Sequence, residues 1–227
     1  MEAMYMKALE NAGRIIMENG GEAYRVEETV SRMGEAFGMA HVESFAIPSG
    51  IFISCKDHAG QVETMVLRVH RGGGDLDKVD RVNAISRQVV DGSISPEEAC
   101  RQLEELHSLR EDSRAGNVMA AAVAAFGFAF MFRGNLTDAV ISAITAASVQ
   151  LLAFLPKRIR IAGLSGALAG GFITALVPNL LFTLWRIGTT EAIVSGALMP
   201  LVPGVAMTNA VRDTLRGDIV SGVSHAA

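Results

Sequence analysis

The sequence predicts an α-helical integral membrane protein with about four transmembrane helices and an N-terminal cytoplasmic α+β domain. Two observations support this prediction: half of the 227 residues are hydrophobic, and the charged residues are unevenly distributed. Up to Arg114 the chain carries 13 basic and 20 acidic residues, a net charge of −7, whereas the remainder carries 7 and 4, a net charge of +3. Because the composition changes near Ser113, we expect two domains, residues 1–113 and 114–227.

Two helices are predicted at the start of the α+β domain. Apolar residues recur at helical spacing in Tyr5–Asn19 and in Glu22–Phe37, and glycine follows each segment, as is common after a helix. Three short runs typical of strands come next, separated by turn-like sequences: His41–Ile47, Ile51–Lys56 and Val62–Val69. Two further helices are expected, one capped by Asp75 and one opened by Ser95-Pro96.

The domain shows no pattern typical of a cofactor, a metal or a nucleic acid. The sequence pI is about 5.7 and no basic patch appears, which argues against nucleic-acid binding. The histidines lack metal-ligand spacing, and nothing predicts a group that would orient Cys55 and His58 for catalysis. Because no secretory signal is recognised, a reducing, cytosolic setting is expected for Cys55 and Cys100. The charged cluster of Glu22, Arg25, Glu27 and Glu28 fits either a binding site or a solvated first turn of a helix.

Four apolar stretches in the second half are each close to the ~20 residues that a helix needs to cross a bilayer. They are residues 115–132, 136–155, 161–185 and 192–211. With the N-terminal domain in the cytoplasm, seven basic residues lie on that side and two, Arg133 and Arg186, on the other. This distribution satisfies the positive-inside rule and predicts a multi-pass protein of the cytoplasmic (inner) membrane.

The segment Ala192–Asp218 is the most unusual of these stretches. Pro200 and Pro203-Gly204 interrupt it, and Asn209, Arg212 and Asp213 follow the interruption. Proline removes a helix hydrogen bond, and carbonyl groups freed in this way need partners from protein or from a water-filled cavity. Broken helices of this kind occur at the substrate sites of transporters, although a kinked helix that only packs fits equally well. Asn179, directly after Pro178, indicates a second break and is a candidate for the same path.

Two motifs at opposite ends of the chain carry a family resemblance. GGEAYRVEETVSRMGEAFG, followed by HVESFAIPSGIFIS, resembles the N-terminal domain of the threonine/serine exporter family. LVPGVAMTNAVRDTLRGDIVSG resembles a membrane motif of the same family. The resemblance runs from about Asn11 to the end, and family members continue into a further span where this sequence stops. It points to two sets of residues: Glu22, Arg25, Glu27, Glu43 and Ser44 in the domain, and Pro203, Gly204, Asn209, Arg212, Asp213 and Asp218 in the membrane part.

The resemblance implies a subunit of an exporter of small polar metabolites, either threonine/serine-type amino acids or dicarboxylates such as succinate. The layout resembles two-component exporters in which a chain of this kind pairs with a small all-membrane subunit. We therefore expect contact with membrane lipid and assembly with such a partner, with further copies of the chain, or with both. We expect Arg212 to attract a substrate carboxylate and Asp213 either to bind an ammonium group, to relay a proton, or to neutralise Arg212. Alternatives are a membrane-tethered, hydrolase-like enzyme facing the cytosol and a regulatory or assembly protein.

Overall fold

The computed structural model describes residues 3–70, 74–109, 114–153 and 164–226, which form two compact units. The first unit is Met1–Glu111 with Gly204–Ala227, and the second is Asp112–Pro203. In chain order the elements are α1 (Ala3–Glu18), α2 (Ala23–Ala36), β1 (His41–Ile47), β2 (Gly50–Lys56), β3 (Val62–Arg68), α3 (Leu76–Val90), α4 (Pro96–Ser108), α5 (Arg114–Met131), α6 (Leu136–Ala153), α7 (Leu164–Trp185), α8 (Thr190–Leu198), a 3-10 turn (Met199–Leu201), α9 (Gly204–Leu215) and α10 (Ile219–Ala226).

The helices of the first unit bury the apolar stripes that the sequence predicts. α1 packs against α2, α3 and α4, and its fully buried Leu9 and Ile16 belong to one core with Met33 and Leu103. Both predicted caps are present: the Asp75 carboxylate accepts the Lys78 N–H at 3.2 Å, and the Ser95 hydroxyl accepts the Glu98 N–H at 3.2 Å. Each such cap satisfies a backbone donor that the first helical turn cannot pair.

A three-stranded antiparallel sheet in the order β1-β2-β3 completes the core of the first unit. Residues alternate between its two faces, as in any pleated sheet. Val42, Ile51 and Leu67 lie on the buried face, whereas Phe45 and Phe52 are exposed on the other, with ring centroids 6.2 Å apart. β1 also contacts α2 and α10, so the C-terminal helix belongs to this unit by its contacts. The predicted domains, residues 1–113 and 114–227, instead assign this helix to the transmembrane domain. That division separates cytoplasmic from membrane segments, and it stays a prediction.

The second unit consists of helices that pack closely through small residues. α8 lies against α5, α6 and α7, and Ala125, Ala146 and Ala197 form a buried cluster. A Cβ added to Gly196 of α8 would lie 2.9 Å from both the Ala125 carbonyl oxygen and the Ala129 nitrogen of α5. The α8 backbone therefore approaches the α5 backbone directly, as small residues permit in membrane helix bundles.

Asp138 lies in the first turn of α6, and its side chain is fully buried. One of its carboxylate oxygens accepts the Asn135 N–H at 2.9 Å, and the other accepts the Thr189 N–H at 2.7 Å. The Asn135 side-chain oxygen in turn accepts the Asp138 N–H at 3.0 Å. This acidic side chain thus has a structural role, joining the α6 N-terminus to the turn before α8.

By length and composition, two of the described helical segments can cross a membrane: Arg114–Met131 and Gly166–Leu184. A third candidate arises if the bent pair Thr190–Leu201 and Gly204–Leu215 counts as one span, and Leu136–Leu152 is a shorter apolar helix. Parts of the predicted spans, residues 154–155 and 161–163, lie outside the described residues. The chain is thus mostly helical with two or three candidate spans, while the number four stays a prediction.

The predicted break in the fourth apolar stretch is present. α8 ends at Leu198, the 3-10 turn contains Pro200, and α9 begins at Gly204, directly after Pro203. Proline cannot donate the backbone hydrogen bond that would continue the helix. The second break indicated by Pro178 and Asn179 is wrong, because α7 runs through Pro178 without ending.

Candidate functional site

One face of α9 contacts the start of α2, so the two family-like motifs meet within the first unit. The Asn209 side-chain amide donates to the Gly20 carbonyl oxygen at 2.8 Å, and Arg212 forms an ion pair with Glu22. One turn further on, the Arg216 guanidinium lies 3.5 Å from the centroid of the Tyr24 ring. The spacing of these three residues places them on one side of a helix.

The Glu22 carboxylate lies between two arginines. The Arg25 Nε donates to its Oε2 at 2.7 Å, and the Arg212 Nη1 donates to its Oε1. Burial opposes the charge of Glu22, but the hydrogen bonds from Arg25, its own backbone and Arg212 outweigh this effect, and the pKa of Glu22 is lowered. A solvated first turn was one interpretation of this cluster, and for Glu22, which is 6% exposed, it is wrong.

A cavity of about 540 Å³ opens beside this ion pair. We call it the arginine cavity, and its lining residues are Gly20, Gly21, Glu22, Arg25, Leu76, Val79, Gly204, Val205, Thr208, Asn209 and Arg212. The side chains of Arg25 and Arg212 remain 36% and 46% exposed. A guanidinium carries five N–H donors in a planar fork that matches a carboxylate, so the arrangement is suited to a small carboxylate ligand with a short apolar part.

The other predicted residues of the domain gather at a second cavity, of about 580 Å³, which is lined by residues of α2 and of the three strands. Glu27, Glu43 and Ser44 line this sheet cavity together with Phe45 and Phe52. The Glu27 carboxylate accepts the Ala46 N–H at 2.9 Å, and the Ser44 hydroxyl donates to the Glu27 carbonyl oxygen at 3.4 Å. Glu43 is exposed and lies 3.1 Å from the His41 ring nitrogen. The five candidates of the domain are thus divided between two cavities.

The pKa of Glu27, at the sheet cavity, is raised, and this shift leads to a testable expectation. Burial raises its pKa, the hydrogen bond from Ala46 opposes the shift, and the charge of Asp218 adds to it. A carboxyl group with a raised pKa in the folded state stabilises the fold most at low pH, and this contribution is lost as the pH rises through the folded pKa. We therefore expect Glu27→Gln, which keeps the oxygen acceptor, to raise the unfolding temperature at pH 7 by about 2 °C.

The measurement is thermal unfolding of the detergent-solubilised chain at pH 7 and again below the ordinary glutamate pKa of 4.5, where the gain should disappear. Glu35→Gln, an exposed glutamate on the same helix, is the matched control and should change neither value. A Glu27→Gln protein that unfolds at a lower temperature at pH 7 would contradict the expectation.

The remaining predicted residues have structural contacts of their own. Asp213 is buried on the inner face of α9. Asp218 accepts the Ser221 N–H at 3.1 Å at the start of α10, and the Ser221 hydroxyl donates to the Ala46 carbonyl oxygen at 3.3 Å. Asn179 belongs to the second unit, where its amide donates to the Ala175 carbonyl oxygen of the same helix at 2.8 Å. A role for Asn179 on a substrate path stays a prediction.

Two participants at the arginine cavity, the Gly20 carbonyl and Thr208, are absent from the sequence-based prediction, and so is the Arg216–Tyr24 contact outside the cavity. The Thr208 hydroxyl lines the cavity and donates to the Gly204 carbonyl oxygen at 2.8 Å. Arg216 follows Arg212 and Asn209 at helical spacing, and this spacing is the signal that would have indicated it. Backbone groups such as the Gly20 carbonyl give no signal in a sequence.

The environment of Cys55 is not that of an activated nucleophile. Burial, with a contribution from the charge of Glu63, raises the pKa of the Cys55 thiol to about 11. A thiol of this kind is almost entirely protonated near neutral pH. Within the described part of the chain, no group of three or more His, Cys, Asp or Glu residues is arranged to hold a metal ion.

Comparisons with known proteins identify the family to which the chain belongs. The sequence model of the threonine/serine exporter family, ThrE, matches residues 7–227, and the chain belongs to this family of membrane exporters. The chain is also 24% identical over 214 residues to the "Probable succinate transporter subunit YjjP" of Escherichia coli (strain K12). The alignment covers 94% of this chain and 83% of that protein. No solved structure shows significant similarity to the chain.

Proposed function

We propose that this chain is a subunit of an exporter for small carboxylate-bearing metabolites, either threonine/serine-type amino acids or dicarboxylates such as succinate. One observation carries the proposal: Arg25 and Arg212, which come from the two family-like motifs, converge on one cavity beside the break that precedes α9. The family match and the similarity to a succinate transporter subunit support the class of cargo. In this proposal the chain is a transporter subunit and not an enzyme.

Arginine is the residue expected at a site that has to recognise a carboxylate. Charge-assisted hydrogen bonds from a guanidinium to a carboxylate are roughly twice as strong as neutral ones and fix its orientation. The hydroxyl of Thr208 and the backbone of Gly20 and Gly21 add polar groups for the rest of a small metabolite. The arginine cavity would then be the point at which substrate enters from the cytosol, with Pro203, Gly204 and Asn209 near the path.

The proposed topology has four crossings of the inner membrane, with the N-terminal domain in the cytoplasm. It rests on the positive-inside distribution of basic residues. Cysteines introduced at Gly134 and Thr189, in a chain with Cys55→Ala and Cys100→Ala, should react with an impermeant thiol reagent outside intact cells. A cysteine at Lys157 should not react, and labelling there instead would reverse the orientation.

The proposed assembly includes a small all-membrane partner subunit, further copies of the chain, or both. The second unit exposes many large apolar side chains, among them Met119, Leu168 and Phe172, which need lipid or protein contacts.

The proposed export activity is tested by the efflux of labelled succinate and threonine from cells that express the chain with and without a candidate partner.

Efflux that depends on the chain, and that is lost when its membrane helices are replaced by unrelated ones, is the expected result. A membrane-tethered enzyme or a regulatory protein would tolerate such a replacement, because there the helices serve only as an anchor. Activity that survives the exchange would favour one of those two classes.

A further inference from the structure

We propose that Glu22 is an internal competitor: it occupies on Arg212 the place that a ligand carboxylate takes, and a bound carboxylate displaces it. This inference rests on the proposed function, because it concerns the same cavity. Glu22 presents a carboxylate to Arg25 and Arg212, one oxygen to each. A small carboxylate anion offers the same two oxygens to the same two guanidinium groups.

The burial of the three side chains shows which of them a ligand can reach. The Glu22 side chain is only 9% exposed, whereas the arginines on either side remain about one-third to one-half exposed. All three residues line the arginine cavity, and the two arginine side chains remain more accessible than the Glu22 side chain between them. A carboxylate that enters the cavity therefore competes with Glu22 for the N–H donors of the arginines.

The competition also affects the link between α9 and α2. The Glu22–Arg212 pair joins residues 190 positions apart, next to the Asn209 hydrogen bond to Gly20. When Arg212 binds a ligand in place of Glu22, the Glu22–Arg212 pair is broken while the hydrogen bond from Asn209 to Gly20 remains. Carboxylate binding thereby loosens α9 just after the broken segment, which couples occupancy of the cavity to this helix.

An internal competitor lowers the apparent affinity, because only the fraction of molecules with a free Arg212 binds the ligand. The apparent dissociation constant equals the intrinsic one divided by that fraction. Removing the charge of Glu22 while keeping its shape should therefore tighten carboxylate binding. If Glu22 served only to hold Arg212 in position, the same change would weaken binding.

The test measures equilibrium binding of labelled succinate and of labelled threonine to the full chain in detergent. Glu22→Gln is expected to bind at least one of the two about tenfold more tightly than the unsubstituted chain. The matched control is Glu10→Gln, which breaks another glutamate–arginine pair of the first unit, with Arg14 at 2.6 Å, and should leave the affinity unchanged. Succinamide, which lacks the carboxylates, should bind the variants and the unsubstituted chain with equal affinity.

Equal or weaker binding by Glu22→Gln, together with binding by the unsubstituted chain that requires Arg212, would overturn the inference and leave the proposed function intact. Binding of neither probe by any variant would overturn the proposed function and the inference with it. Should Glu22→Gln not fold, Glu22→Asp retains the charge on a shorter side chain that no longer spans both arginines. We expect it to tighten binding about threefold, and an unchanged or weaker affinity would contradict the inference.

Discussion

Replacing Arg212 with methionine is expected to reduce export of the carboxylate cargo at least ~100-fold, which corresponds to about 2.7 kcal/mol. Methionine fills a similar volume but removes the charge and every N–H donor. A hydrogen bond to a charged group contributes roughly 1.5–3 kcal/mol, and a guanidinium can make two to one carboxylate. Arg212→Lys keeps a point charge without the planar fork, so we expect it to retain part of the activity.

The measurement is initial-rate efflux at matched membrane levels, because Arg212→Met also removes a partner of the buried Glu22 carboxylate. Arg32→Met is the matched control, since Arg32 forms an ion pair with Glu28 at 2.7 Å where both side chains are at least half exposed. Such surface pairs contribute little to stability. Undiminished efflux by Arg212→Met would exclude Arg212 as the carboxylate site.

Gly196→Val is expected to destabilise the second unit strongly. A Cβ at this position would lie 2.6 Å from the Ser142 hydroxyl oxygen of α6 and 2.9 Å from backbone atoms of α5. Backbone cannot move aside as a flexible side chain can, so α8 must shift away from α5. Overpacking of this kind costs about 1–3 kcal/mol and occasionally more, and valine, with two further methyl groups, belongs at the upper end.

The matched control is Gly127→Val, within α5, where no atom lies within 4 Å of an added Cβ. Thermal unfolding in detergent can be monitored by the loss of monodispersity. The unfolding temperature of Gly196→Val should be several degrees lower than that of Gly127→Val. Equal unfolding temperatures would mean that α5 and α8 do not pack as closely as described.

Local signals in the sequence account for most of the first unit. The caps at Asp75 and Ser95, the glycine-bounded helices and the alternation within the strands all depend on neighbours a few positions away. For the elements whose bounds were predicted, the structure agrees within two residues. The helix break between α8 and α9 also has a local signal, because Pro200 and Pro203 follow each other closely, whereas the single Pro178 does not end α7.

The partner of α9 was not predictable in this way. Hydropathy classified residues 192–211 as one apolar stretch, but an average does not record which face of a helix is polar. In α9 the buried residues are Asn209, Ala210 and Asp213, whereas Val211 and Leu215 are exposed. The ion pair to Glu22 spans 190 positions, a distance at which no periodicity operates.

The first unit consists of two pieces of chain, with the whole second unit between them. Its N-terminal piece leaves the ribosome long before α9 and α10 exist. At ~5–20 residues per second, synthesis of Asp112–Pro203 takes about 5–20 s, which is long compared with helix formation. During that interval Glu22 has no Arg212, and the Ala46 carbonyl has no Ser221. The chain therefore reaches its final form only after all the apolar helices have been translated, and an interrupted translation product carries an unfinished domain.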